Sequence, residues 1–273
     1  MPFATAKQTS WEQRSTRAEE LTKRFPFAAE ILSFYREIAR FQNNLYGYLH
    51  SCAYATSGID GRLPETLDLF ILLPRFQSLL FLVERIAPEK MSCLARDLEK
   101  KGSAEWEAVL QSFWLAKPDD TIELPSESFF AHAFLQPLAE YFAEHAPIKR
   151  ENYARALCPF CGRKPAVGTL RPEGDGAKRS LVCSLCATEW LYRRLVCPSC
   201  GEENVHQLPI YTAEELEHVR VEACDTCKRY IKTVDLSKNG LAVPLVDEIA
   251  SVPLTLWAEE KRYQKLQPNL LGM

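Results

Sequence analysis

Apolar residues recur at intervals of three and four positions through the first half of the chain, which is the spacing of one helix face. The longest such stretch predicts an amphipathic helix with a buried face formed by Ile31, Phe34, Tyr35, Ile38, Phe41, Leu45, Tyr48, Leu49 and Cys52. An earlier helix is predicted over 10–24, opened by a capping box of Thr9 with Glu12 and ended by Pro26.

Four more helices are predicted in this half, over 74–87, 89–101, 104–116 and 126–145, the last kinked at Pro137. Aromatic residues within them share the helical spacing and are predicted to lie in a core: Trp106, Phe113, Trp114, Phe129, Phe130, Phe134, Tyr141 and Phe142. These segments indicate a bundle of five or six helices.

The pattern changes near Pro147, where short alternating stretches replace the helical spacing. Strands are predicted over 179–182, 189–196, 219–223 and 230–234, and Asn239-Gly240 indicates a turn. A capping box of Thr212 with Glu215 predicts a helical turn between the strands. A closing helix is predicted over 245–264, which Pro253 would kink or restart.

Eight of the ten cysteines form four Cys-x-x-Cys pairs in this second half: Cys158 and Cys161, Cys183 and Cys186, Cys197 and Cys200, and Cys224 and Cys227. One such pair aims two sulfurs at one ion, and two pairs supply the four soft ligands of a tetrahedral Zn or Fe site. Pro follows the first cysteine of two pairs, and Gly follows the second, as expected for tight turns.

The intervals between the pairs favour sequential grouping. There are 21 residues between Cys161 and Cys183 and 23 between Cys200 and Cys224, each enough for a hairpin, but only 10 between Cys186 and Cys197. Sequential grouping therefore makes two similar modules in tandem, whereas a cross-brace would join the first pair to the third.

Two other uses of the cysteines are less consistent with the sequence. Disulfides suit secreted domains, but the chain begins without an apolar signal segment, so a cytoplasmic location is expected. A thioredoxin-like dithiol is normally single and opens a helix. The two remaining cysteines, Cys52 and Cys93, stand alone in helical segments and are predicted to be buried core residues.

Composition and charge exclude several classes of protein. The chain of 273 residues is 47% hydrophobic and 25% charged, as in soluble globular proteins, and no apolar run suits stable membrane insertion. Residues 151–273 carry 16 basic and 16 acidic side chains, so no basic surface for nucleic acid is evident. His50, His132 and His145 are widely separated, and no ordered catalytic set appears, so we expect no enzyme.

These features predict an α+β protein with a helical bundle over 1–150, a first Cys₄ module over 151–192, and a second Cys₄ module with the closing helix over 193–273. Each module resembles a zinc ribbon. Ribbons this small bury little apolar surface, so metal binding is expected to supply much of their folding free energy.

The residues around the four Cys-x-x-Cys turns, or knuckles, resemble those of the formate dehydrogenase accessory protein family, FdhE. The similar segments are 158–162, 181–190, 196–200, 222–233, 247–251 and 267–271. Together they span about 158–271, whereas the N-terminal half agrees only in being helical. Pro253 departs from the family pattern and leaves the length of the last helix open.

The resemblance implies a non-enzymatic cytoplasmic factor that binds the catalytic subunit of a respiratory formate dehydrogenase before twin-arginine export. It also implies rubredoxin-like modules whose ligands here are the eight paired cysteines, and it favours two Fe ions, with Zn the alternative. Thr188, Glu189 and Trp190 are candidates for the client contact surface, and packing of Trp190 within the ribbon is the competing interpretation. A rubredoxin-like electron carrier and a nucleic-acid-binding zinc ribbon remain alternative functions, and the oligomeric state is open.

Overall fold

The helical half of the computed structural model contains every helix that the apolar spacing predicts. The structure describes residues 6–55, 60–116, 127–148, 153–174 and 176–273. Within these ranges the first half consists of α1 (Ala6–Arg24), α2 (Ala29–Ser51), α3 (Leu73–Ile86), α4 (Glu89–Lys101), α5 (Ser103–Leu115) and α6 (Ser128–His145). The predicted bundle of five or six helices is confirmed, with six in the described part of the chain.

The first helix differs from its prediction at the N-terminal end. α1 begins at Ala6, so Thr9 lies inside the helix and cannot act as its N-cap. The predicted capping box is therefore wrong, because helix propensity extends the segment one turn further than the local capping signal indicates. The C-terminal end agrees, since α1 ends at Arg24, two residues before Pro26.

α6 is the central helix of the bundle. Its side chains are buried almost continuously from Phe130 to Ala143, including Pro137, which lies inside the helix. A helix that is apolar all round must be surrounded by other elements. The predicted aromatic core is confirmed, since seven of the eight aromatic residues are buried and Phe129 is partly buried against them.

The second half folds into one sheet of seven strands in the described residues: β1 (Pro165–Glu173), β2 (Gly176–Cys183), β3 (Glu189–Leu191), β4 (Ile210–Thr212), β5 (Val219–Ala223), β6 (Arg229–Asp235) and β7 (Gln264–Lys265). Six strands lie in the order β3-β2-β1-β6-β5-β4, and β7 pairs with β6. The sheet therefore consists of two antiparallel three-stranded units, β1–β3 and β4–β6, which repeat the same connections. This repeat confirms that the two modules are similar and in tandem.

The two units join edge to edge through a parallel pairing that the sequence does not predict. β1 pairs with β6 at Gly168 and Thr233. A Cβ atom on Gly168 would lie 2.4 Å from Thr233 Oγ1, so only glycine allows this close approach. The two modules consequently share one continuous sheet instead of standing as separate ribbons.

The closing segment is two short helices, α7 (Pro244–Ala250) and α8 (Val252–Glu260), and not one helix over 245–264. Ser251 separates them, and Pro253 lies in the first turn of α8, where a missing N–H does no harm. The restart at Pro253 is thus confirmed. α7 packs between α1 and strands β1 and β6, so it joins the helical bundle to the sheet.

Two buried ionic clusters lie on this junction. Asp247 in α7 accepts hydrogen bonds from Arg17 of α1 at 2.7 and 3.0 Å and lies 2.7 Å from His218 Nε2. Glu248, the next residue, forms a 2.8 Å ion pair with the fully buried Lys232 of β6 and also pairs with Lys265. Adjacent carboxylates thus bind opposite elements, one the bundle and one the sheet.

Cys52 and Cys93 are both exposed, so the prediction that they are core residues is wrong. Cys52 follows the last residue of α2 at its C-cap, and Cys93 lies on the outer side of α4, whose buried residues are Ala95 and Leu98. A search of the described residues finds no helix with the length and apolarity that crossing a bilayer would require.

Candidate metal centres

The structure brings the eight paired cysteines together as two clusters of four. The first centre contains Cys158, Cys161, Cys183 and Cys186, and the second contains Cys197, Cys200, Cys224 and Cys227. In each cluster all four sulfurs lie within 4.8 Å of one another. The grouping is the sequential one, and a cross-brace between the pairs is excluded.

All four Cys-x-x-Cys turns adopt the same knuckle. In each, the backbone N–H of the first cysteine donates to the carbonyl oxygen five residues later: Cys158 to Arg163, Cys183 to Thr188, Cys197 to Glu202 and Cys224 to Arg229, at 2.8–3.0 Å. In three knuckles the N–H two residues after the first cysteine donates to its sulfur at 3.4 Å. The turn therefore orients the first sulfur, and the hydrogen bond to it stabilises a thiolate.

The residue after the second cysteine has a positive φ in every knuckle. Gly162 and Gly201 have φ of 73° and 79°, as the Pro/Gly pattern predicts. Ala187 and Lys228 occupy the same place with φ of 50° and 55°. The two knuckles without glycine thus adopt the left-handed conformation at a cost of roughly 1 kcal/mol each, which the surrounding sheet and the ligand pairing must offset.

The donor geometry suits one tetrahedral metal ion at each centre. A bond from metal to sulfur of about 2.3 Å places tetrahedral sulfurs roughly 3.8 Å apart. In the second centre, Cys197 and Cys200 lie 3.7 Å from Cys227 and Cys224, respectively. In the first centre the corresponding separations are 3.2–3.6 Å. None of the eight forms a disulfide, and four thiolates are a donor set that Zn and Fe both accept.

Electrostatics favour a cation beside the sulfurs of the first centre. Burial is the largest influence on the first centre, and it raises the pKa of Cys161 and Cys183 well above the usual range. Burial also acts to raise the pKa of Cys158, but hydrogen bonds from the three neighbouring thiols outweigh it and lower that pKa. A bound cation would offset this cost of burying thiolates.

The first centre is buried between the bundle and the sheet. Cys158, Cys183 and Cys186 are at most 2% exposed. Its knuckle tips are Phe160 and Leu185, which are buried in the same core as the helices. The centre is thus part of the junction between the two halves.

Polar contacts also fix the first centre to the bundle. His132 Nε2 of α6 lies 2.8 Å from the carbonyl oxygen of Ser184, which lies between Cys183 and Cys186 in the chain. Arg163 stacks on Phe113 of α5 with its guanidinium carbon 4.5 Å from the ring centre, and it donates to the Phe113 carbonyl oxygen. Burial lowers the pKa of His132 to about 4, so this imidazole is neutral and acts as a structural hydrogen-bonding group.

The second centre lies at the surface. Cys200 is exposed and Cys227 is half-buried, although Cys197 and Cys224 are buried. Its tips are Ser199 and Thr226, and Thr226 donates to Glu202 at 2.7 Å instead of packing on a core. The two centres therefore share their knuckles and differ in what the tips contact.

The other residues considered from sequence have structural roles. Thr188 and Trp190 are buried, and Trp190 Nε1 donates to the Arg155 carbonyl oxygen at 3.0 Å, so neither offers a surface to a client. Glu189 forms an ion pair with Arg171 at 2.8 Å. His50 packs between Tyr46 and Tyr141, and His145 Nδ1 lies 2.8 Å from the Tyr141 carbonyl oxygen. No cluster of these histidines with other ligand types forms in the described residues.

Sequence reasoning missed the residues that dock the first centre, namely Phe160, Arg163 and Leu185. A signal was present, because apolar residues at knuckle tips predict burial and polar ones predict exposure. It also missed Arg179, Arg220 and Glu222, which lie close together only because β2 and β5 belong to the same sheet.

Comparisons of the sequence with known proteins find one family. The family model described as FdhE, central domain matches residues 157–194, and that described as FdhE, C-terminal domain matches 195–271. A Protein FdhE homolog of Aquifex aeolicus is 31% identical over 278 residues, covering 97% of this chain and 96% of that protein. A Protein FdhE homolog of Pseudomonas aeruginosa is 37% identical over 131 residues, covering 44% and 41% of the two chains.

The fold is also similar to a solved structure. The crystal structure of the FdhE protein from Pseudomonas aeruginosa superposes with a TM-score of 0.74 at 24% identity, covering 97% of this chain and 96% of that chain. This likeness confirms the architecture of a helical bundle followed by a sheet with two Cys₄ clusters. The full-length similarity to the Aquifex aeolicus relative, together with the two family models, shows that the chain belongs to the FdhE family.

Proposed function

We propose that this chain is a non-enzymatic accessory protein for formate dehydrogenase, which binds the catalytic subunit in the cytoplasm before its export. Membership of the FdhE family is the observation that carries the proposal. The two Cys₄ clusters held in one sheet support it, because the second lies at the surface, where it can make a rigid contact with a partner, and the sequence shows no ordered catalytic set.

We further propose that each cluster holds one metal ion, Fe in preference to Zn, through its four cysteine sulfurs. When bound, the ion supplies a fixed cross-link between two knuckles and, if it is iron, a one-electron redox centre. The protein contributes the thiolates and the N–H groups that donate to them. Elemental analysis after anaerobic purification tests this, with two ions per chain expected and fewer than one contradicting it.

The test of the accessory role combines deletion with co-purification. Deletion in the native host is expected to abolish formate dehydrogenase activity, and a tagged chain is expected to retain the catalytic subunit from cytoplasmic extract. Full activity in the deletion strain together with no retained subunit would refute the role.

A second candidate function is electron transfer, which the exposure of Cys200 favours because a ligand sulfur at the surface shortens the path to a redox partner. A reversible visible spectrum whose second-centre contribution is lost in a Cys200→Ser variant, while the catalytic subunit still binds, would support it. A colourless zinc-containing protein from the native host would exclude it.

A further inference from the structure

A crevice lies beside the second centre, between segment 194–199 and the face of the sheet that carries Arg220 and Glu222. Its apolar walls are Leu195, Val196, Leu208, Ile210, Ile231 and Leu266. Leu195 and Ile210 are 52% and 45% exposed, although both are large aliphatic residues. Such residues side by side on a concave surface are typical of binding sites.

The crevice also holds an excess of positive charge. Arg179, Arg194, Arg220 and Arg229 line it, against the carboxylate of Glu222 and two sulfurs of the second centre, those of Cys197 and Cys224. Four thiolates around a divalent ion carry a net charge of about −2, so the four arginines still outnumber the negative charges. Arg179 and Arg220 share that carboxylate at 2.6 and 2.5 Å. Burial acts to raise the pKa of Glu222, but the two guanidinium groups outweigh it and lower that pKa, so the carboxylate stays ionised.

Arg194 retains donors for a further anion, whereas Arg179 is enclosed. Arg179 is 4% exposed, and its Nε is buried without a hydrogen-bond partner in the described part of the chain. Arg194 donates at 3.4 Å to the Ala177 carbonyl oxygen, and no carboxylate of the described residues forms an ion pair with it. A carboxylate entering the crevice would therefore find unused N–H groups on the exposed Arg194, with the buried guanidinium of Arg179 adding positive charge behind it.

The neighbouring edge of the sheet has unpaired backbone groups. β4 ends the sheet and pairs with β5 alone in the described structure. Ala223 N–H donates to the Pro209 carbonyl oxygen, so residues 209 and 211 bond to β5 and the backbone groups of Ile210 and Thr212 point away from it. An extended peptide can pair with these groups and reach the crevice that Ile210 lines.

We propose that an extended acidic segment of a partner protein binds here, as an added strand beside β4 that places a carboxylate among the arginines and an apolar side chain on Leu195 and Ile210. Because the proposal rests on the accessory role, the partner is the catalytic subunit of formate dehydrogenase. Charge complementarity selects an acidic segment, and the apolar walls select a protein over a free anion.

The test measures binding of the purified catalytic subunit to the full-length, metal-loaded chain. Arg194→Glu is expected to weaken binding by at least about tenfold, because it places a negative charge against the incoming carboxylate. Arg193→Glu is the matched control, since Arg193 carries the same charge but pairs with Glu203 at 2.8 Å outside the crevice. It is expected to change binding by less than about threefold.

Three further variants separate the parts of the proposal. Leu195→Asn removes the apolar wall and tolerates the φ of 55° at this position. Thr212→Pro removes an outward N–H from an edge strand, whereas Thr212→Ala keeps it. Loss of binding in Leu195→Asn and Thr212→Pro, but not in Thr212→Ala, supports a partner strand that pairs with β4 and places side chains in the crevice. Equal binding by Thr212→Pro and wild type would overturn it.

The remaining outcomes distinguish this inference from the accessory role. If wild type binds the subunit and Arg194→Glu binds equally well, the crevice is not the site and the accessory role stands. If wild type does not bind the subunit, the accessory role itself fails. Displacement of the subunit by polyglutamate supports a carboxylate ligand, whereas displacement by inorganic phosphate or single-stranded DNA would overturn it. Unchanged metal content and melting temperature establish that each variant is folded.

Discussion

The two cysteine centres are built from the same knuckle, but the first is enclosed between the helices and the sheet and the second lies at the surface. The hydrogen bond from the first cysteine and the positive φ after the second are common to all four knuckles. The tips differ, with Phe160 and Leu185 in one centre and Ser199 and Thr226 in the other. Local sequence therefore determines the knuckle, and the two tip residues determine its surroundings.

This difference predicts unequal contributions to stability. The first centre is embedded in the core that joins the bundle to the sheet, so its loss exposes apolar surface on both sides. The second centre holds a surface segment, while its strands are supported by the rest of the sheet. We therefore expect a structural role for the first centre and a role in recognition for the second.

The largest effect is expected from Cys183→Ser in the first centre. Cys183 is fully buried, and a structural four-thiolate site supplies on the order of 10 kcal/mol of folding free energy. Because domains are stable by only about 5–15 kcal/mol, the variant is expected to lose its near-ultraviolet circular dichroism along with the ion. A variant that keeps native tertiary signals and a cooperative melt would contradict the structural role of this centre.

The next largest effect is expected from Glu248→Gln, which tests whether the sheet beneath the second centre depends on a metal. Glu248 pairs with Lys232, which is fully buried on the strand that follows the last knuckle. Removing one member of a buried ion pair costs about 3–5 kcal/mol. Denaturant unfolding should show this loss, whereas the metal content should stay at the wild-type value. Loss of the second ion instead would show that the strand and the centre are coupled.

The ion pair between Glu248 and Lys232 predicts that the stability of the protein depends on pH. Burial acts to raise the pKa of Glu248, but Lys232 and Lys265 outweigh it and lower that pKa to about 2. A lowered carboxyl pKa contributes stability that is present above its unfolded value and lost as pH falls towards 2. Wild type should therefore lose stability in this acidic range, and Glu248→Gln should lose less over the same range. Parallel curves for the two proteins would exclude the contribution of this carboxylate.

A smaller effect is expected from Cys200→Ser in the second centre. Cys200 is exposed, so its replacement should release one ion and loosen segment 194–207 while the bundle and the first centre stay folded. The remaining structure should lose about 1–3 kcal/mol. Hydrogen exchange checks this, with faster exchange confined to the second module. Exchange that rises in the helices as well would remove the distinction between the two centres.

A chelator should distinguish the two centres in the wild-type protein in the same way as the cysteine variants do. The ion of the second centre, which has an exposed cysteine, should be removed first. Removal of the ion of the first centre should then coincide with unfolding. Release of both ions in one step would indicate equal accessibility.

Replacement of the docking arginine should have a moderate effect. Arg163→Leu removes the stacking on Phe113 and the hydrogen bond to its carbonyl oxygen, at a cost of about 1–3 kcal/mol. Glu202 occupies the corresponding position in the second centre, five residues after Cys197, and contacts Thr226 at the surface. Glu202→Gln is therefore the control. It should change the free energy of unfolding by less than about 0.5 kcal/mol. Equal effects in the two variants would show that burial does not separate the centres.

The smallest effect is expected from the backbone of the knuckles and should have opposite signs in two variants. Ala187→Gly relieves a left-handed alanine and should stabilise the protein by up to about 1 kcal/mol. Gly201→Ala introduces the same strain where no neighbouring atom lies within 4 Å of the added Cβ, so it should destabilise by a similar amount. Thermal melts of the two variants measure the difference, and shifts of equal sign would contradict the common knuckle geometry.

Local signals were sufficient to predict much of this molecule. Apolar spacing and helix-end signals predict the six helices because most of them bury one face, and the intervals between cysteine pairs predict the grouping because each hairpin closes on itself. Strands β5 and β6 were predicted within one residue for the same reason. The knuckles of the two centres follow from spacing alone.

The features that were not predicted depend on contacts distant in sequence. β1 was not predicted, because its run through Pro165 and Pro172 lacks a clear alternation, and pairing with β2 and β6 determines its structure. The exposure of Cys52 and Cys93 depends on where each helix ends and on which side it packs. The arginine crevice joins residues more than 40 positions apart, and the sequence carries no local signal for it.

The parallel pairing at Gly168 and Thr233 has a consequence for synthesis on the ribosome. Because 65 residues separate these partners, the first three strands can form long before β6 is made. Until then β1 is an open edge that can pair with another nascent chain. The edge of β1 stays unpaired until the fourth knuckle and β6, the strand after it, have left the ribosome. The period of greatest risk of aggregation therefore falls late in translation.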